Sequence, residues 1–103
     1  MKRYRVEFAP EARDHVRTIG AWWRAERPAV RDLFREELAA TIQLLREAPL
    51  AGVPYDAPGV TGVRRVPMFR CRYRVFYTVD EEGAVVRIHA VWHASRGHGP
   101  PLP

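Results

Sequence analysis

Five arginines fall within the sixteen residues Arg64 to Val79, RRVPMFRCRYRVFYTV, on the period-two alternation of extended chain. In its second half, Arg72, Arg74, Phe76 and Thr78 share one strand face, and Tyr73, Val75, Tyr77 and Val79 share the other. The second set reads as core. Alternate strand residues stand about 7 Å apart, so two guanidinium groups sit side by side with no acid between them. The chemistry open to such a pair is capture of phosphate or carboxylate, which a guanidinium binds through two parallel N–H donors. Arg65 joins this face from the preceding strand, because Val66 and Met68 make the better core pair there. Arg87, His89 and His93 join it from the following strand, with Arg96 just beyond. Arg64 and Arg70 fall at the rim. A face lined by Arg65, Arg72, Arg74, Arg87, His89 and Arg96 focuses positive potential and draws in anions. The competing reading is that these arginines solvate an open sheet and block edge pairing. Their clustering favours binding, since like charges on adjacent strands repel unless something offsets them.

The other reactive side chains narrow the options. His89 and His93 are four apart on one strand, hence about 13 Å apart along it, too far to share a metal. No CxxC or HExxH spacing is present, and no metal or cofactor is expected. His93 is the residue placed to move a proton near Arg74 and Arg96; a structural hydrogen-bonding role is the alternative. His15 lies off the apolar stripe of its helix and reads as exposed; His98 lies in the tail. Cys71 is the single cysteine, so no internal disulfide can form and an inert free thiol is expected. There is no glycine-rich phosphate loop, paired-carboxylate site or GxSxG motif.

The 103 residues carry 17 Lys+Arg against 12 Asp+Glu, a formal charge of +5, with Lys2 the sole lysine. An arginine excess suits nucleic acid or an acidic protein as partner; a GC-rich genome also produces it. No stretch approaches the ~18 apolar residues of a membrane span, and the N-terminus MKRYRVEFAPEARDH has no signal-like apolar run. A cytoplasmic protein with no membrane partner is expected.

The elements that must carry these residues follow from periodicity. Tyr4, Val6 and Phe8 alternate with Arg3, Arg5 and Glu7, which predicts a strand over 2–9 with one buried face. Pro10 then opens a helix to Glu26 whose stripe is Ala12, Val16, Ile19 and Trp23, with Trp22 closing the edge of the core. Pro28 breaks it and opens a second helix to about Ala48 along Val30, Leu33, Phe34, Leu38, Ile42 and Leu45. Residues 49–62 hold three prolines and three glycines and read as the loop of the domain. Three strands follow, Val63–Phe69, Arg72–Val79 and Ala84–Trp92, with Gly83 supplying positive φ in the second hairpin. In the last strand Val86, Ile88, Ala90 and Trp92 point to the core, and Arg87, His89, Val91 and His93 point away. The order β-α-α-β-β-β predicts one α+β domain over 1–103, a helical hairpin on one face of a mostly antiparallel four-stranded sheet. Residues 97–103 are expected to be flexible.

The chain resembles the RelE/ParE superfamily of bacterial toxins from type II toxin–antitoxin systems. The resemblance rests on YRVEFAPEA at the start, the helical hairpin, the proline-glycine loop, Gly62–Arg65, YRVFY at Tyr73–Tyr77, and the ending IHAVWHASR. It implies a cytoplasmic growth-inhibiting toxin, of the kind associated with plasmid stabilisation, neutralised by a small acidic antitoxin. RelE-like members are ribosome-dependent endoribonucleases that cut mRNA, whereas ParE-like members poison DNA gyrase. The family's tyrosine-arginine pair falls on Tyr73 and Arg74, and its arginine after the last strand on Arg96. In the nuclease branch such arginines stabilise the phosphate under attack, making Arg74, Arg96 and His93 the catalytic set if this chain is a nuclease. The second basic position of the preceding strand is occupied by Pro67, and no C-terminal helix brings a tyrosine or histidine as acid or base. The V-x-H-x-x-R ending is closer to the ParE-like branch, so the resemblance implies gyrase as target. Ribosome-bound mRNA is the alternative, and an inactive relative serving as a binding module is a second.

Overall fold

A computed structural model describes residues 2–102 of the chain. Strand β1 is Arg5–Phe8, and helix α1 runs from Pro10 to Glu26. Ala9 precedes α1 without a side-chain cap. It is buried instead, and its N–H donates to the Ile88 carbonyl at 2.8 Å, so tertiary packing fixes the start of the helix. Ala12 and Trp23 are buried along the α1 stripe, with Val16 and Ile19 packed beside them. Trp22 is 46% exposed and is covered by the Arg27 guanidinium 5.7 Å away, so it does not close the core edge as expected.

Pro28 opens a single 3-10 turn, Pro28–Val30, and helix α2 begins later, at Leu33, ending at Glu47. The residue before the second helix is thus in a turn of its own, and Val30 faces solvent. The buried stripe of α2 is Phe34, Leu38, Thr41 and Leu45, at spacings of four, three and four. Thr41 is tolerated inside because its hydroxyl donates to the Glu37 carbonyl one turn back, at 2.9 Å.

The sheet has five strands in the order β1-β5-β4-β3-β2. The expected four are joined by β2, Val53–Pro54, a two-residue edge strand inside the proline-glycine loop that pairs antiparallel with Arg64 and Arg65 of β3. Strands β3 (Arg64–Met68), β4 (Tyr73–Asp80) and β5 (Val85–His93) form an antiparallel meander, and β1 pairs parallel to β5. Both hairpin loops have four residues, and each ends in a residue of positive φ that is not glycine: Arg72 at 66° and Ala84 at 54°. Gly83 therefore does not supply that conformation; its N–H donates to the Asp80 carboxylate at 3.1 Å.

Both helices lie on the face carrying Val66, Met68, Val75, Tyr77, Val86, Ile88 and Val91, which with Phe34, Leu38 and Leu45 make the main core. Burying each large side chain of this set contributes about 1.5–3 kcal/mol. A second apolar cluster occupies the opposite face: Ala57, Val63, Phe76 and Ala90, with Tyr55, Val60, Trp92 and Leu102 against it. The loop and the last described residues thus cover part of the face that the alternation leaves open.

One irregularity decides which residues face where. Phe76 pairs with Ala90, but Tyr77 pairs with Ile88, so His89 is an extra residue in β5. Beyond it the alternation flips. Val91 enters the main core and Trp92 moves to the outer cluster, the reverse of what unbroken period two predicts. Among the described residues no helix is long and apolar enough to cross a membrane.

Candidate functional site

The outer face carries Arg65 and Pro67 from β3, Arg74, Phe76 and Thr78 from β4, and Arg87, His89, Ala90 and Trp92 from β5. Its middle is filled by Phe76, on which Tyr55 of the loop sits edge-on at 4.8 Å between ring centroids. Beside this plug lies a cleft of about 210 Å³ lined by Tyr55, Arg65, Arg74, Trp92, His93 and Arg96, floored by Phe76 and closed by Gly97, His98 and Gly99. A second cleft of about 270 Å³ lies on the far side of Arg65 and Arg74, against Gly52, Val53 and Pro67. These two arginines form the wall between them.

Three of the expected residues therefore converge: Arg65, Arg74 and Arg96. Arg65 stands over the Tyr55 ring at 5.5 Å, and Arg96 over Trp92 at 4.0 Å. Among the described residues no carboxylate lies within salt-bridge distance of any of the three. Aromatic faces hold two of the guanidiniums in place while leaving their N–H donors unspent. Three such groups around a small cleft repel one another, and an anion relieves that repulsion.

The rest of the expected set is elsewhere. Arg72 is the αL residue closing the β3–β4 turn, not a strand residue beside Arg74, since only there can its N–H reach the Met68 carbonyl at 2.9 Å. Arg87 and His89 do lie on the outer face, but past the Phe76 plug and outside the clefts. His89 shares a 2.8 Å hydrogen bond with the Thr78 hydroxyl, and burial, followed by the Arg87 charge, lowers its pKa.

His93 is carried by the flipped register to the helix side, where its ring meets Tyr73 edge-on at 4.9 Å. It touches the arginine cleft only at its margin. Its Nδ1 accepts the Ser95 N–H at 3.1 Å and contacts the Ser95 hydroxyl at 2.6 Å. An accepting Nδ1 puts the proton of the neutral ring on Nε2.

Several residues of this region carry no signal in the sequence. Tyr55 lies in a loop that reads as a plain connection, and the Trp92 indole N–H donates to the His98 carbonyl at 2.9 Å, laying the tail beside the cleft. His15 is half-buried, contrary to expectation. Its Nδ1 accepts the Val91 N–H at 3.2 Å, on the edge of β5 just beyond the end of β1, and its ring meets Trp92 at 5.6 Å. Burial first, then Arg96, lowers the His15 pKa. His15, His93, Trp22, Tyr73 and Arg96 line a groove of about 320 Å³ between α1 and the end of β5. Glu37 of α2 reaches under the β3–β4 turn and accepts the Arg70 and Cys71 N–H groups, each at 2.9 Å. Cys71 is buried below it with its thiol pushed up to about 12 by burial and the Glu37 carboxylate, which makes it inert. Among the described residues no three His, Cys, Asp or Glu side chains come together as a metal site.

Residues 6–97 match the sequence profile of the ParE toxin of type II toxin–antitoxin system, parDE. No curated protein matches the sequence. Among solved structures, the chromosomal ParDE toxin–antitoxin system from P. aeruginosa superposes with a TM-score of 0.71 at 14% identity, over 89% of this chain and 97% of that one. The toxin–antitoxin complex RelBE2 from Mycobacterium tuberculosis superposes with a TM-score of 0.58 at 26% identity, over 92% and 97%. The intact E. coli RelBE toxin–antitoxin complex gives 0.53 at 24%, over 90% and 99%.

Proposed function

Because the chain belongs to the ParE toxin family of type II toxin–antitoxin systems, we propose that it arrests growth by acting on DNA gyrase in the cytoplasm, without cutting RNA itself. A small acidic antitoxin neutralises it. The observation that carries the gyrase reading is the composition of the arginine cleft. Arg65, Arg74 and Arg96 supply anion-binding donors, while the two histidines that line the cleft, His93 and His98, are both drawn into other contacts. Of the two, His93 has Nδ1 committed to Ser95 and its ring against Tyr73, and His98 has its ring edge-on to Trp92 at 5.9 Å. Cleavage by this route needs a base as well as charge stabilisation. Across β3, the residue paired with Arg74 is Pro67, which adds neither charge nor N–H.

The net charge of +5 and the unpaired guanidiniums of the cleft support an acidic partner for neutralisation. The likeness to toxin–antitoxin complexes, RelBE2 of Mycobacterium tuberculosis at 26% identity among them, supports the same partner. That likeness also favours a second reading, ribosome-dependent mRNA cleavage, in which Arg74 and Arg96 steady the phosphate and His93, in its imidazolium form, gives its Nε2 proton to the leaving oxygen.

One paired experiment tests both. The protein is purified free of antitoxin and added to gyrase with relaxed plasmid, and separately to ribosomes stalled on mRNA. Lost supercoiling with cleaved DNA complexes, and intact mRNA, supports the gyrase reading. Codon-positioned mRNA cuts that disappear in Arg74→Ala overturn it in favour of cleavage. Inactivity in both assays, with harmless expression in cells lacking antitoxin, leaves a binding module and overturns both.

A further inference from the structure

The β3–β4 turn, Phe69–Arg72, is unlike the rest of the surface. Phe69 is 81% exposed, while the next most exposed large apolar side chains, Val53 and Leu50, are at 56% and 52%. It is flanked by the exposed Arg70 and Arg72, and among the described residues neither guanidinium is in salt-bridge distance of a carboxylate. The turn beneath them is tied down. Glu37 accepts the Arg70 and Cys71 N–H groups, the Arg72 N–H donates to Met68, and the Arg72 carbonyl accepts the Ala94 N–H at 2.8 Å. Cys71 is buried as its anchor. Arg72 holds φ at 66°, a conformation that is strained for a residue with a side chain. An aromatic ring is thus presented to water at the tip of a fixed hairpin, between two free cations.

We propose that this turn is a wedge for duplex DNA, in which Phe69 enters an opened base step and Arg70 and Arg72 bind the flanking phosphates. Duplex DNA fits the three side chains together. Apolar side chains inserted between base steps are the device by which proteins kink a duplex, and guanidiniums supply the phosphate contacts that position them. A protein pocket could take the ring, but it would have to neutralise both arginines with buried acids, whereas phosphates flank every base step. The fixed turn reduces the ordering cost of insertion. The proposal is independent of the target argued above and of the Arg65–Arg74–Arg96 cleft.

The test uses the antitoxin-free protein and a short duplex carrying 2-aminopurine, without gyrase or ribosomes, so its failure leaves the gyrase reading standing. Wild-type protein is expected to bind and to raise 2-aminopurine fluorescence as the base unstacks. Phe69→Ala should abolish the fluorescence change and weaken binding about tenfold. Arg72→Gly should fold at least as well, since glycine is at ease at this φ, yet lower the slope of affinity against salt by about one phosphate contact. Three results overturn the proposal: no binding at about 50 mM salt, binding with no 2-aminopurine response, or binding lost in Arg65→Ala and Arg74→Ala but untouched in Phe69→Ala. Response to a protein partner alone, blocked by Phe69→Ala, overturns it as well and assigns the tip to that partner.

Discussion

Truncating Glu37 should unfasten the β3–β4 turn and cost the whole protein stability. The carboxylate makes two hydrogen bonds of 2.9 Å, one to the Arg70 N–H and one to the Cys71 N–H. Hydrogen bonds to a charged group contribute about 1.5–3 kcal/mol each when buried. The Arg70 bond is exposed and water replaces it, so it adds little in Glu37→Ala. The Cys71 N–H lies deeper, over a buried thiol, and loses its partner without gaining another. The expected loss is about 2 kcal/mol, which lowers Tm by about 10 °C in a protein of this size. Glu37→Gln keeps a carbonyl acceptor without the charge and should lose roughly half as much. The acid response is the sharper check. Burial alone would raise the Glu37 pKa, but the Arg70 and Cys71 hydrogen bonds and the Arg70 charge outweigh it and hold it below 4.5. A depressed carboxyl contributes stability above its unfolded value and loses it as pH falls through the folded one. The gap between wild type and Glu37→Gln should therefore be constant above about pH 5 and close below 4.5. Thermal melts followed by circular dichroism across this range measure both. A Tm loss of under about 2 °C for Glu37→Ala, or a gap that persists in acid, refutes the reasoning.

Further outcomes follow from other contacts. In Gly52→Ala the added Cβ would stand 2.6 Å from the Tyr77 hydroxyl and 2.7 Å from the Arg65 carbonyl, so urea denaturation should report a loss of about 2 kcal/mol. Phe76→Ala removes the floor under Tyr55 and should cost about 3 kcal/mol, with faster hydrogen exchange in residues 55–63 as the local sign. His15 should titrate below 6.5 by NMR, because burial and then Arg96 disfavour its charged form. Arg96→Gln should raise that midpoint. Since protonation removes the acceptor of the Val91 N–H, the His15 contribution to stability is present above 6.5 and lost as pH falls through its folded value.

How much of this was legible in the sequence depends on where periodicity kept its meaning. Helix α1 was legible nearly end to end, because Pro10 opens it, one stripe runs through it, and Pro28 follows it closely. The meander and its three strands were legible from alternation and turn residues. The bulge at His89 was not. The run VVRIHAVWH contains no glycine or proline to mark an extra residue, and Ala90, Val91 and Trp92 are apolar, so neither register places a charge in the core. That one residue moved His93 off the outer face and put Trp92 under Arg96. Strand β2 was missed because two residues, one a proline, make no period. The Glu37 clamp was missed because it joins residues more than thirty positions apart, and Arg72 because a non-glycine αL residue has no local signature. The arginine cleft was half legible: strand parity placed Arg65 and Arg74 together, but the Tyr55 plug that separates them from Arg87 depends on where a loop folds back.

The parallel pairing of β1 with β5 sets the order of assembly. Arg5 lies beside Val85, about eighty positions later, and closing a loop of that length costs about 4 kcal/mol in chain entropy. The β3–β4 and β4–β5 hairpins each close over four residues, at a far smaller entropy cost, and form before it. A nascent chain emerging from the ribosome therefore holds its first strand idle until nearly all of the described sequence has been made. The outer-face cleft needs Arg65, Arg74 and Arg96 together, so it is complete only once the chain beyond β5 has joined the meander.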